Sequence, residues 1–198
     1  RSVVSRMLTP VGELAKTETR AVARRLGLVT ADKPESVEIC FVPDDDYVGV
    51  LERFLPADAP ALAPGPLVTT SGEVLGEHRG FARYTIGQRR GLPGGSRRPP
   101  YVVDISPEDR RVVVGTEDEL YATRVELEEV NWLVEPLAPG DACEVQVRYR
   151  ARAVPAQVAA AGAGTLALEL LTPARAVTPG QSGALYRSGQ LLGGGIIG

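Results

Sequence analysis

From about residue 124 to residue 198 nearly every apolar run is short and is closed by glycine or proline. Cys143, Val145, Val147 and Tyr149 alternate with Glu144, Gln146, Arg148 and Arg150. Successive side chains of an extended chain point to opposite faces, so this spacing separates an apolar row from a polar one. Val154 to Val158, Thr165 to Leu171, Ala184 to Tyr186 and Leu191 to Ile197 read as further strands. So many short strands, with so little helix between them, are best accommodated by a small closed or nearly closed barrel.

Upstream the patterns change. Thr17 is a plausible N-cap, with Glu18 in the first turn, Ala21, Val22 and Leu26 as an apolar stripe, Arg24 and Arg25 near the end and Gly27 as the stop. Such a short helix makes no core alone. Residues 37–42 read as a strand ended by Pro43. Asp44, Asp45 and Asp46 open a second helix, whose Tyr47, Val50, Leu51, Phe54 and Leu55 recur at helical spacing before Pro56. Leu67–Thr69 and Glu73–Leu75 flank Ser71-Gly72 as a hairpin, and Tyr101–Ile105 and Arg111–Val114 flank a second turn. Leu120 to Thr123 is a plausible boundary. The expected class is α+β, mostly β.

Composition narrows what such a chain does. No run approaches the about 18 apolar residues of a membrane span, and no apolar core of a signal peptide follows Arg1. Two cysteines, Cys40 and Cys143, make no disulfide framework, which points to a reducing cytoplasmic setting. His78 is the one histidine, which excludes a His-rich metal site. Net charge is −3, yet residues 79–100 hold Arg79, Arg83, Arg89, Arg90, Arg97 and Arg98 and no acid. A local patch of this kind binds phosphates whatever the total charge, unless it is merely a solvated loop.

The residues that bear chemistry are few. Neither a Ser/His/Asp spacing nor a zinc-ligand spacing occurs, and Gly193-Gly194-Gly195 lies among strand residues, where close backbone packing explains it. Cys143 shares a strand face with Val145 and Val147 and reads as a small hydrophobe. Cys40 precedes a loop and a helix start; it is either buried filler or a thiol that a nearby cation turns into a nucleophilic thiolate. In Arg148-Tyr149-Arg150-Ala151-Arg152, strand geometry would put three guanidiniums on one face, where RNA phosphates would satisfy them. Tyr149 either stacks on a base or packs inside, and alternation favours the core.

Several strings taken together are similar to the tRNA-specific 2-thiouridylases, the MnmA/TrmU family. They are Pro10-Val11-Gly12-Glu13-Leu14, Gly27-Leu28-Val29-Thr30-Ala31-x-Lys33, Ser36-x-x-Ile39-Cys40-Phe41 and Gly76-Glu77-His78-x-Gly80. They continue with Tyr84-Thr85-Ile86-Gly87-Gln88-Arg89-Arg90-Gly91-Leu92, Tyr101-Val102-Val103-Asp104, Arg148-Tyr149-Arg150, Ala176-Val177-Thr178-Pro179-Gly180-Gln181 and Leu192-Gly193-Gly194-Gly195-Ile196.

The resemblance implies a sulfurtransferase that makes 2-thiouridine at the wobble position of tRNA. It implies an N-terminal PP-loop domain that binds ATP and activates the uracil C2 oxygen, and a persulfide carried on Cys40. A cysteine desulfurase or sulfur relay protein would supply the sulfur, and no metal is needed. Arg148, Tyr149 and Gln181 would meet the tRNA near its target nucleotide, although the Gln181 motif would serve equally as a turn device. Arg89 and Arg90 would hold phosphates. His78 reads as a structural hydrogen-bonding residue. The implied organisation is a remnant of the PP-loop domain at 1–43, a central tRNA-binding domain at 44–122 and a β-barrel at 123–198. No PP-loop and no first catalytic cysteine appear in these residues, so the expectation is the C-terminal part of the family, inactive by itself. Leu92-Pro93-Gly94-Gly95 also departs from the Gly-Ile-Gly-Gly many members carry. The alternative is a stand-alone RNA- or protein-binding β module with inert cysteines.

Overall fold

A computed structural model describes residues 6–34, 42, 46–92 and 100–198. Cys40, most of the expected strand at 37–42, Asp44, Asp45, the Pro93–Gly95 departure, and Arg97 and Arg98 lie outside the described residues. The chain forms two units, residues 1–54 and residues 55–198.

The first unit carries α1 (Lys16–Arg25) and α2 (Tyr47–Phe54). Thr17 is not the N-cap of α1: the cap is Ala15, whose N–H donates to Glu18 Oε2 at 2.7 Å. The carboxylate satisfies an otherwise orphaned donor from three residues on, so a capping hydroxyl is dispensable. At the other end the Leu28 N–H donates to the Ala23 carbonyl and that of Gly27 to Arg24, closing the helix. No residue of α1 is buried. Arg24 grips Asp32 Oδ1 through Nε and Nη2 at 2.9 and 2.6 Å, and this holds the Asp32 carboxyl below the usual range. Asp46 Oδ1 accepts from Gly49 N–H at 2.9 Å at the start of α2, as the acidic opening suggested.

The second unit begins with β1 (Gly65–Thr69), β2 (Val74–His78), β3 (Tyr101–Ser106) and β4 (Arg111–Gly115), in the sheet order β2-β1-β4-β3. Both expected hairpins form. What joins them is a parallel pairing of β1 with β4, Leu67 opposite Val112. Leu67, Val102, Val112 and Val114 make its small core, with Phe81, Tyr84, Leu92 and Ile105 packed around it. His78 is buried and satisfied at both nitrogens: Nδ1 accepts from Gly80 N–H at 3.0 Å, and Nε2 lies 2.7 Å from the Arg110 carbonyl. The ring is a structural cross-tie between β2 and the β3–β4 turn.

After a one-turn 3-10 helix at Asp118–Leu120 come β5 (Tyr121–Trp132), β6 (Ala142–Gln146), β7 (Val154–Gly162), β8 (Thr165–Arg175), β9 (Ser182–Arg187) and β10 (Gln190–Ile197). They close into an antiparallel barrel in the order β10-β5-β8-β7-β6-β9. Val125, Leu127, Cys143, Val145, Val158, Leu166, Leu168 and Leu185 fill its interior. Six strands enclose only enough space for side chains, so the barrel is a core and not a container. The Gly193–Gly195 run sits where β10 presses on its neighbours. A Cβ on Gly193 would lie 2.4 Å from the Asn131 carbonyl oxygen, and one on Gly195 2.4 Å from that of Glu128. Ladder shifts between Leu191 and Gly193 and between Gly194 and Ile196 bend the same strand.

The filled interior sets one expectation. Leu168, with no exposed surface, touches the barrel core on all sides. Leu168→Ala should lower unfolding free energy by about 2–5 kcal/mol, read from the urea midpoint.

Candidate nucleic-acid interface

The string 148–152 is not a strand. β6 ends at Gln146, and the chain turns at once: the Ala151 N–H donates to the Arg148 carbonyl at 3.1 Å and Arg150 adopts φ +62°. The Gln146 amide donates to the Ala151 carbonyl at 2.8 Å and braces the turn from below. The three arginines therefore do not line one face, and Tyr149 does not enter the core. It stands 84% exposed, with the Arg150 guanidinium 5.2 Å above its ring. Period-2 spacing continues past residue 147 in the sequence, whereas the backbone abandons it.

Beside this turn runs the loop 176–181. Ala176 is buried with φ +54°, and its N–H donates to the Leu120 carbonyl at 2.8 Å. Thr178 Oγ1 donates to the Ala176 carbonyl at 3.0 Å, the Gly180 N–H to Ile197, and the Ile197 N–H back to Gln181. The turn is thus held by Thr178 and main-chain groups, and the Gln181 amide takes no part in bracing it. Arg148, Tyr149, Gly180, Gln181 and Ser182 line an open hollow of about 510 Å³.

The third element is the loop 84–92. Ile86 is buried with Leu120 and Ala176, against Tyr101 and Val103. The Gly87 N–H donates to the Val102 carbonyl at 2.7 Å, and the Val102 N–H to the Gln88 carbonyl at 2.9 Å. The Gln88 side chain closes the loop on itself: Oε1 accepts from Thr85 N–H at 3.0 Å while Nε2 donates to the Arg90 carbonyl at 3.0 Å. Gly87 has φ +87°, and a Cβ built there would meet the Ala176 methyl at 3.4 Å, Arg148 Nη1 at 3.6 Å and Arg175 Nη1 at 3.8 Å. The left-handed backbone alone disfavours a side chain there, since the three neighbours lie at ordinary van der Waals distance. Arg89 and Arg90 are exposed, and Arg89 and Arg175 both stack on Tyr101, at 5.7 and 5.4 Å.

Comparison with known proteins places this arrangement. A family profile described as a tRNA methyl transferase HUP domain matches residues 1–44, a tRNA methyl transferase PRC-barrel domain 52–116, and an aminomethyltransferase beta-barrel domain 122–197. The chain is 46% identical over 197 residues to the tRNA-specific 2-thiouridylase MnmA of Acidithiobacillus ferrooxidans, a match covering 98% of this chain and 55% of that protein. It is 45% identical to the MnmA of Rhodospirillum centenum, covering 95% and 49%, and 41% to that of Carboxydothermus hydrogenoformans, covering 100% and 53%. The chain belongs to the MnmA family of tRNA-specific 2-thiouridylases. It spans about half the length of the curated relatives it matches.

Three MnmA-family strings lie on this one surface: the loop 84–92, the turn at Arg148–Arg150 and the loop 176–181. Sequence reasoning named Arg148, Tyr149, Gln181, Arg89 and Arg90, and all five lie in these segments. It missed Gln88, which shapes the first loop, and Arg175, which faces Gly87 from the barrel. The glutamine was visible inside its string, but nothing local marks Arg175, the last residue of β8. Among the described residues no group of acids, histidines and cysteines is placed to hold a metal. No helix among them is long and apolar enough to cross a membrane.

Cys143 lies inside the barrel, and burial is the main cause that pushes its thiol pKa up. The raised value suppresses the thiolate, the form that reacts. The native protein at pH 8 should therefore leave Cys143 unmodified by iodoacetamide, and unfolding in urea should expose it to rapid alkylation, as peptide mass spectrometry would record.

Proposed function

We propose that this chain is the tRNA-holding and sulfur-carrying part of an ATP-dependent tRNA-uridine 2-sulfurtransferase that makes 2-thiouridine at the wobble position. The observation that carries the reading is the convergence of Arg148, Tyr149 and Gln181 on one open hollow beside the Gly87 loop. An exposed aromatic ring offers a stacking platform, and a free side-chain amide offers a donor and an acceptor to a base edge. Arg89 and Arg90, exposed on the neighbouring loop, suit phosphates. A base inside a folded anticodon loop has to leave its stack before its C2 position is reachable, and a platform at the rim of a rigid barrel meets that need.

In this reading Cys40 carries sulfur as a persulfide that replaces the uracil C2 oxygen, and a persulfide-bearing desulfurase or relay protein loads it. Residues 1–43 belong to the ATP-binding domain, 44–122 to the central tRNA-binding domain and 123–198 to the barrel, and the protein works in the cytoplasm. The relatives' shared name supports the substrate class and the product. The matching families are described by methyl transfer, but the relatives match across nearly the whole chain and weigh more. The same coverage disfavours an independent RNA- or protein-binding module with inert cysteines.

ATP finds no fitting site among the described residues. None of them forms a glycine-rich loop leading into a helix, and the glycine run of β10 is filled by neighbouring backbone. The reading assigns ATP and the first catalytic cysteine to the half of the relatives' length that this chain does not span. By itself the chain is expected to bind tRNA without thiolating it.

Two outcomes follow. In the full-length protein, Cys40→Ser should abolish 2-thiouridine formation, measured by nucleoside mass spectrometry, while tRNA affinity stays unchanged; thiolation at the wild-type rate would end the carrier assignment. Arg148→Ala should weaken tRNA binding by about 1–1.5 kcal/mol and make the plot of log affinity against log salt shallower by about 1. Equal binding and an equal slope would remove Arg148 from the interface.

A further inference from the structure

Gly87 is more than a tight turn. The point where its side chain would begin is faced by two guanidiniums, Arg148 Nη1 at 3.6 Å and Arg175 Nη1 at 3.8 Å. They come from different parts of the barrel, the turn after β6 and the end of β8. Arg89 shares the Tyr101 ring with Arg175, which brings a third positive charge to the same neighbourhood. Among the described residues only one carboxylate answers these charges. Glu117 Oε1 approaches the Nε edge of Arg175 at 3.6 Å, and both side chains are partly exposed. A long, wet contact of this kind neutralises little. Like charges gathered beside the Ala176 methyl are costly until an anion joins them, and two guanidiniums within reach of one point suit the several oxygens of a phosphate.

We propose that Arg148 and Arg175 together grip one backbone phosphate of the bound RNA above Gly87, with Arg89 flanking it. The proposal rests on the tRNA-binding reading and deepens it by giving the Gly87 loop a second duty. The loop's missing side chain makes the space, and Tyr101 holds Arg175 and Arg89 in place by stacking. A nucleotide whose base reaches the hollow at Tyr149 and Gln181 would then have a backbone phosphate fixed at the adjacent Arg148, the residue common to both.

The test is tRNA binding by the full-length protein as a function of salt. Arg175→Gln should weaken binding roughly five- to tenfold and flatten the log–log salt slope by about 1, and Arg175→Lys should recover part of the affinity. Unchanged affinity and slope in Arg175→Gln, with Arg148→Ala still impaired, overturns this proposal and leaves the tRNA reading standing. If neither variant responds, the tRNA reading itself fails.

Arg175 also covers Tyr101, so a second pair of variants tests the site without touching it. Asn and Asp tolerate the left-handed backbone of Gly87 about equally and have the same shape. Gly87→Asp places a carboxylate where the phosphate would sit, whereas Gly87→Asn does not. The Asp variant should bind tRNA about tenfold more weakly than the Asn variant while melting at no lower a temperature. Equal tRNA affinity in the pair overturns the proposal. Titration with AMP distinguishes a polymer phosphate from a free nucleotide: AMP binding that needs Arg175, with tRNA binding that does not, overturns the RNA assignment.

Discussion

The closure of the loop 84–92 on β3 and on the barrel is the contact from which the surface takes its form. Two main-chain hydrogen bonds, from Gly87 to Val102 and from Val102 to Gln88, tie the loop to the sheet. Ile86 drives into the apolar cluster with Leu120 and Ala176, which belong to the start and the rim of the barrel. The loop therefore has one foot in each substructure. At Gly87 the packed loop brings Arg148 and Arg175 into reach, each guanidinium within 3.8 Å of where a Cβ would lie. Without that approach the arginines of the barrel and those of the central sheet would be two weak patches on separate surfaces.

Local patterning exposed much of this architecture and concealed the rest for identifiable reasons. Both hairpins of the sheet and the barrel strands from residue 142 onward follow from alternation and turn residues. β5, the longest strand, escaped. Its inward row is legible in Val125 and Leu127, but Glu126, Glu128 and Glu129 crowd the outward row, and Glu129 breaks the rhythm with φ +50°. The parallel β1–β4 pairing leaves no local mark, because it depends on contacts between segments more than 40 residues apart in the chain. The opposite error occurred at 148–152, where alternation persists in the letters while the backbone turns. Such a failure is informative: a segment with strand-like spacing that the fold bends outward carries its side chains to solvent.

The candidate site shows the same division. Its members were legible as strings, but their convergence was not, since they come from positions near 87, 148 and 181. Alternation points Tyr149 into the core, yet it is among the most exposed of the described aromatics. The string allows Gln181 to brace its own turn equally well, and Thr178 does that work instead. Arg175 carried no signal at all. It ends a strand and precedes a string that catches the eye, and only the packed structure turns its guanidinium toward Gly87. Cys143 is legible as core filler because it falls within an alternating row whose inward positions fill the barrel.

A barrel with a filled interior offers a ligand only its outer surface, and the rim is built to keep its shape. Arg150 and Ala176 hold left-handed backbone conformations without being glycine, at a cost on the order of 1 kcal/mol each. Such strain persists only where the surroundings over-determine it. Here they do: the Gln146 amide and the Ala151 N–H lock the first turn, and burial of Ala176 with its bond to Leu120 locks the second. Both strained residues sit within a few positions of Arg148, Gln181 and Arg175. The turns that present these groups are thus ordered before any ligand arrives, and little conformational freedom remains to be lost when one binds. A flexible RNA loop would then do most of the adapting, folding its bases and phosphates onto a surface that is already set.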